Sequence, residues 1–180
     1  SEQMSNIPAE AMAGLGTEQL GNLRLECLGA INQDQITYFQ DDVISSMTDA
    51  MIGALSSNAL SGFNSDDIDL LTATAISGFD AADIGALQSS AIAAFDADDI
   101  TALNPSAISG FDAADIGALQ SSAIAAFDAS DITALSSSAI SGFNAADITA
   151  LQSSAIAAFD ASDINALSSS AISGFNAADI

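Results

Sequence analysis

The sequence predicts an all-α solenoid built from one short helix, of about two turns, in every eight-residue repeat. Three observations predict it. Apolar residues recur with an alternating spacing of three and five along the whole chain. A helix-capping residue precedes most of these apolar pairs. And 49% of the residues are hydrophobic, at a net charge of -23. That is too many for a disordered acidic tail.

The register is strict. In blocks of eight counted from Pro8, the fifth position reads Met12, Leu20, Leu28, Ile36, Ile44 and Ile52, then Leu60, then Ile throughout to Ile180. The eighth reads Leu15, Leu23, Ile31, Phe39, Met47, Leu55, Phe63 and Leu71, then alternates Phe and Leu to Phe175. Met4 and Ile7, ahead of Pro8, keep the same register, and none of the resulting 23 fifth or 22 eighth positions is polar. A half-buried strand needs spacing of two. A continuous helix fails as well, because eight residues at about 100° each rotate the apolar stripe out of register with every repeat. One helix per octad with a sharp turn between helices satisfies the pattern. A β-solenoid with short rungs is the competing reading, favoured by the β-branched Ile column.

The helix starts are legible. With Asp80 as N-cap, Asp83 is N3, Phe79 is N′ and Ile84 is N4. This matches the acidic half of a capping box and a hydrophobic staple. Ser136, Ser168 and Asn104 fill the cap column elsewhere. Pro105 at N1 has no N–H to lose. Gln88, Gln120 and Gln152 occupy the same column, although Gln caps poorly. Pro8 falls one place early for N1, so the first octads are expected to be irregular. Column seven is small in most blocks, as at Gly78, Ala86, Ala94, Ala102 and Gly110. A small residue there permits close helix contact and helps end each helix. Tyr38 and Leu70 depart from it.

Residues 1–71 are diverged octads, and residues 72–180 alternate two octad types within one continuous solenoid. One type resembles residues 80–87 and begins with Asp; the other resembles residues 88–95 and is rich in Ser. Residues 80–111, 112–143 and 144–175 are near copies, differing at three positions between successive units. The alternation suggests two octads per coil, and a rod on the order of 100 Å long at the usual helix spacing. An Asp stripe would run along one edge and a Ser stripe along the other. The chain opens at the second position of an octad and stops at the fifth, as a window on a longer repeat tract would.

The octads Gly16-Thr17-Glu18-Gln19-Leu20-Gly21-Asn22-Leu23 and Pro8-Ala9-Glu10-Ala11-Met12-Ala13-Gly14-Leu15 resemble the Thr-x-x-Gln-Ile-x-x-Leu tracts of very large bacterial extracellular or surface proteins. The resemblance covers the whole chain. It implies a secreted or surface-attached structural role without catalysis, and it carries over no functional residue.

Composition excludes further classes. With one Lys or Arg, Arg24, against 24 acids, no basic track exists for nucleic acid. The chain has no His, so there is no imidazole catalysis or His metal site. A lone Cys27 makes no intramolecular disulfide. No apolar run is long enough to cross a membrane. Ser1-Glu2-Gln3-Met4 has neither the basic nor the apolar region of a signal peptide. Serine runs such as Ser136-Ser137-Ser138 have no base to activate them, though Ser and Thr hydroxyls could accept glycans.

Acidic pairs are the candidate sites: Asp80 with Asp83, Asp112 with Asp115, Asp128 with Asp131, and the denser group Asp96, Asp98 and Asp99. Their functional reading is Ca2+ held between coils, since hard cations take several oxygens. Helix capping is favoured over it. Asn144 replaces Asp112 in the next copy, and a cap tolerates that exchange better than a calcium site does. Paired carboxylates also serve glycosidases, but catalysis needs one unique cleft and these pairs repeat. The expected function is therefore a stiff acidic rod, not an enzyme. It would act as a spacer, stalk or fibre-building segment of a bacterial extracellular or surface assembly, extended end to end by itself or by a longer chain. The alternative is an adhesin or calcium-dependent binding module using the Asp and Ser edges.

Overall fold

A computed structural model describes residues 2–177 and residue 179, so Ile180 of the fifth column lies outside it. Among the described residues, 21 short α-helices and one 3-10 helix follow one another without a strand. The β-solenoid alternative therefore falls. None of these helices is long and apolar enough to cross a membrane.

The helices are shorter than two turns. Those of Ser octads span four residues, as in Ser89–Ile92 and Ser121–Ile124; those of Asp octads mostly span six, as in Ala97–Ala102 and Ala113–Ala118. The difference arises at the C-terminal end. The N–H groups of Leu103 and Leu119 donate four residues back, to the carbonyls of Asp99 and Asp115, at 3.0 and 3.1 Å. Those of Phe95 and Phe111 donate three residues back, to Ile92 and Ile108, at 3.2 Å. The shorter bond tightens the last turn. The corner after an Asp octad is an extended pair, such as Leu103 at φ -65°, ψ 140° and Asn104 at φ -84°, ψ 156°. No described residue has a positive φ, glycine included. Glycine in column seven therefore does not end the helix through a left-handed cap, as the sequence suggested.

Each helix stacks on the one three octads away. Ala81–Ile84 packs on Pro105–Ile108, Ala113–Ala118 on Ser137–Ile140, and Ala145–Ala150 on Ser169–Ile172. The coil thus holds three octads, and not the two that the alternation suggested. The rod is correspondingly shorter, about 65 Å at a helix spacing of ~9 Å. The stacking crosses the diverged boundary unchanged, since Asp49–Ile52 packs on Ala73–Ile76 and Ser65–Leu70 on Ser89–Ile92.

Three octads per coil fall out of step with an alternation of two. From the regular region onward, every Asp octad lies between Ser octads on its own face. The separate Asp and Ser edges expected from the sequence do not form. The acids are spread over all three faces, with a neutral octad between vertical neighbours. This lengthens the distances over which like charges repel.

The eighth column fills the axis. From Phe79 to Phe175, successive Phe rings meet edge to face, with centroids 6.1–6.4 Å apart and interplanar angles of 68–90°. This is a preferred aromatic geometry. Each Phe lies two octads from the last on a coil of three, so the ladder winds around the axis and each Phe follows a Leu on its own face. Bulky and medium side chains are thereby mixed in every layer. The Ile column is buried along the interior; in column four the Ala of the regular Ser octads is buried and the Asp of the Asp octads is buried or, at Asp67 and Asp99, half-buried. At the other end, Pro8 precedes the 3-10 helix Ala9–Gly14, the expected irregular start. The buried Gln35 amide there donates to the carbonyls of Met4 and Ile7, at 2.9 and 2.8 Å.

Candidate functional site

The candidate acids fold into reciprocal capping boxes. Oδ1 of Asp80, Asp96, Asp112 and Asp128 accepts from the backbone N–H groups two and three residues on, at 2.7–3.0 Å. Oδ2 of Asp83, Asp99, Asp115 and Asp131 accepts from the N-cap N–H at 2.9–3.1 Å. Each pair so satisfies three of the orphan donors at one helix start. Asn144 does the same work through its amide oxygen, accepting from Ala146 and Asp147 at 2.8 and 3.2 Å. Asp98, between Asp96 and Asp99, is exposed at the surface. Among the described residues, no three acidic, His or Cys side chains converge as a metal site needs.

The N3 acids sit against the coil below. Oδ1 of Asp147 and Asp163 accepts from the Ser121 and Ser137 hydroxyls at 3.5 and 3.1 Å, 26 residues away. The poor caps Gln120 and Gln152 have a similar role. Their side-chain amides donate to the carbonyls of Ala93 and Ala125, at 3.5 and 3.4 Å, 27 residues back; Gln88 donates to Ser61 at 2.7 Å. Gln here ties one coil to the previous one instead of capping its own helix. These partners were not visible in the sequence, because such separations have no meaning until the coil length is known. Cys27 packs at the core edge, Phe39 lies in the core and Tyr38 on the rim.

Burial costs these carboxylates solvation. Asp67, Asp83, Asp115, Asp131 and Asp147 are all held above the usual carboxylate pKa, chiefly by desolvation, against the lowering effect of their capping bonds. Burial disfavours the charged form. Asp99 is pushed up to about 6, by desolvation first and then by its acidic neighbours Asp96, Asp69 and Asp98. Residue 73, at the position where Ser121 and Ser137 serve later coils, is Ala and offers Asp99 no hydroxyl.

A folded pKa above the unfolded one means that the folded chain binds protons more tightly. The stabilising effect is present in full below the unfolded value and is lost as pH rises through the folded value. The melting temperature is therefore expected to rise by several degrees between pH 7.5 and pH 5, opposite to acid denaturation. Partial neutralisation of the net charge acts in the same direction. Asp99→Asn separates the two effects. It keeps an oxygen for the Asp96 N–H, so flattening of the stability profile near pH 6 assigns the effect to this site; an unchanged profile assigns it to net charge.

No protein-family model matches the chain, and no curated protein is significantly similar to it. The repetition of one local geometry, and the use of its acids on backbone donors, are what bear on function.

Proposed function

We propose that this chain is a structural repeat: a stiff, acidic rod that serves as a spacer, stalk or fibre-building segment, without catalysis. The observation that supports the reading is the uniform packing of each helix on the one three octads on, from the diverged first coils to the last. Such an array has no point at which it must stop, because each coil covers the apolar edge of the one before. Its acidic sheath keeps neighbouring rods apart. The single Arg24, exposed and paired with Glu26 at 2.8 Å, leaves one site for trypsin-like cleavage. An extracellular or surface setting in bacteria is drawn from the resemblance of the octads. The adhesin reading has no specific observation in its favour.

Small-angle scattering tests the rod. Inserting one more four-octad unit should lengthen the particle by about 12 Å at constant cross-section, four-thirds of a coil at ~9 Å per coil. Growth in all dimensions would overturn the reading. Thermal melts followed by far-UV circular dichroism, in EDTA and in millimolar calcium, should coincide; a much higher melt in calcium would favour the binding module.

A further inference from the structure

The column-four acids meet column two of the coil below. Ser holds that place beneath Asp83, Asp115, Asp147 and Asp163, as Ser57, Ser89, Ser121 and Ser137. The last two donate their hydroxyls upward to Oδ1, at 3.5 and 3.1 Å. Beneath Asp99 and Asp131 stand Ala73 and Pro105, whose side chains have nothing polar to offer. Asp67 differs from all of these. The same register puts a second acid, Asp41, beneath it, and their helices, Asp41–Ser45 and Ser65–Leu70, pack on each other. Two carboxylates across a coil contact repel, and neither has a hydrogen to donate. Oδ2 of Asp67 accepts from the Asn64 N–H at 2.9 Å, which leaves Oδ1 for the coil below, as in Asp147 and Asp163. Asp67 is half-buried, whereas Asp41, Asp42 and Asp66 are exposed. Burial first, and then the charges of Asp66 and Asp41, hold Asp67 above the usual carboxylate pKa, against the lowering effect of the bond from Asn64. The helix Ser89–Ile92 packs on Ser65–Leu70 from the coil above and has no titratable side chain.

We propose that Asp67 and Asp41 form a proton-operated latch between two coils, open at neutral pH and closed in mild acid, where Oδ1–H of protonated Asp67 donates to the Asp41 carboxylate. Closure takes up one proton from solvent, and no covalent bond other than that O–H is made. The latch stands where the serine tie stands in later coils, with its polarity reversed: the acid above donates and the residue below accepts. Because the closed form holds the proton, the contact tightens as pH falls and loosens as pH rises. Coils tied by Ser121 and Ser137 use hydroxyls that do not titrate in this range, so the change is confined to one contact within the diverged region. The latch needs only the coil packing and does not depend on the role proposed for the rod.

Asp41→Ser tests it, since it installs the serine found beneath Asp147 and Asp163. The melting temperature of the full chain should rise by about 2–4 °C at pH 7.5. Most of that gain should disappear at pH 5, where the parent closes its latch. Asp42→Ser is the control for net charge and for the helix start, because Asp42 is a first-turn acid of the same helix but stands outside the column beneath Asp67. It should give no such pH-dependent gain. By carboxyl 13C NMR, Asp67 should titrate at lower pH in Asp41→Ser than in the parent, and Asp42→Ser should leave it nearly unmoved. A melting temperature unchanged or lowered by Asp41→Ser at pH 7.5, a gain equal at both pH values, the same effect from Asp42→Ser, or an Asp67 titration indifferent to residue 41 would each overturn the latch.

Discussion

Gly142→Ala is expected to destabilise the chain, while Gly117→Ala, one coil earlier, stabilises it. Both exchanges place a methyl group on a glycine whose φ is not positive, so backbone strain does not separate them. Their surroundings do. A Cβ on Gly142 falls 2.3 Å from the Ala113 carbonyl oxygen and 3.0 Å from that residue's Cα and carbonyl carbon. These are backbone atoms in a helix whose start is fixed by the Asp112–Asp115 box, so the coils must separate locally to admit the methyl. Overpacking of this kind costs about 1–3 kcal/mol, and the upper end is expected where backbone must yield. A Cβ on Gly117 meets only the Gly142 carbonyl oxygen, at 3.9 Å, an ordinary contact. Gly117 lies within the helix Ala113–Ala118. Replacing Gly by Ala inside a helix is worth about 0.5–1 kcal/mol. The next copy already carries Thr149 at this place, with its hydroxyl 3.3 Å from the Gly174 carbonyl. Urea denaturation of the two variants decides the matter. Equal effects would mean that column seven is not a coil contact.

Phe127→Ala should cost more, about 3–5 kcal/mol, the usual loss for a fully buried Phe. Phe127 is 0% exposed and touches Phe111 and Phe143 edge to face, both at 6.4 Å. Its removal opens a void on the axis and ends the ladder on both sides. In a quasi-one-dimensional array this weakens one interface and leaves distant ones intact. Hydrogen exchange should show lost protection in the coil between Leu103 and Leu151 and near-parent protection in the coils beyond. Phe127→Leu should cost much less, because Leu already occupies the neighbouring layers at Leu119 and Leu135, and cores tolerate smaller changes of apolar volume better. Uniform loss of protection along the whole chain would indicate that the solenoid unfolds as one unit.

How much was legible follows from the range of the interactions. The helix starts were readable, because a capping box involves residues three apart: Asp80 and Asp83 announce their own hydrogen bonds. The core was readable too, since the buried Ile column and the Phe and Leu column are fixed by an eight-residue register. Helix length was overestimated. The last turn of a Ser octad closes with a three-residue bond at Phe95 or Phe111. That bond brings the ring onto the axis, and the demand for it comes from the core.

Coil size belongs wholly to the tertiary structure. The sequence repeats every one, two and four octads, and none of these is the coil of three. Closure depends on how far each extended corner, such as Leu103-Asn104, turns the chain, and three corners complete the circuit. From that one number came everything the sequence misplaced: the dispersal of the acids, the bonds from Gln120 and Ser137 to residues in adjacent coils, and the reason for glycine in column seven. The sequence by itself determined what each octad is, because capping and amphipathicity act within a few residues. Only packing decided how octads meet, because neighbours across a coil are chosen by backbone geometry summed over three octads.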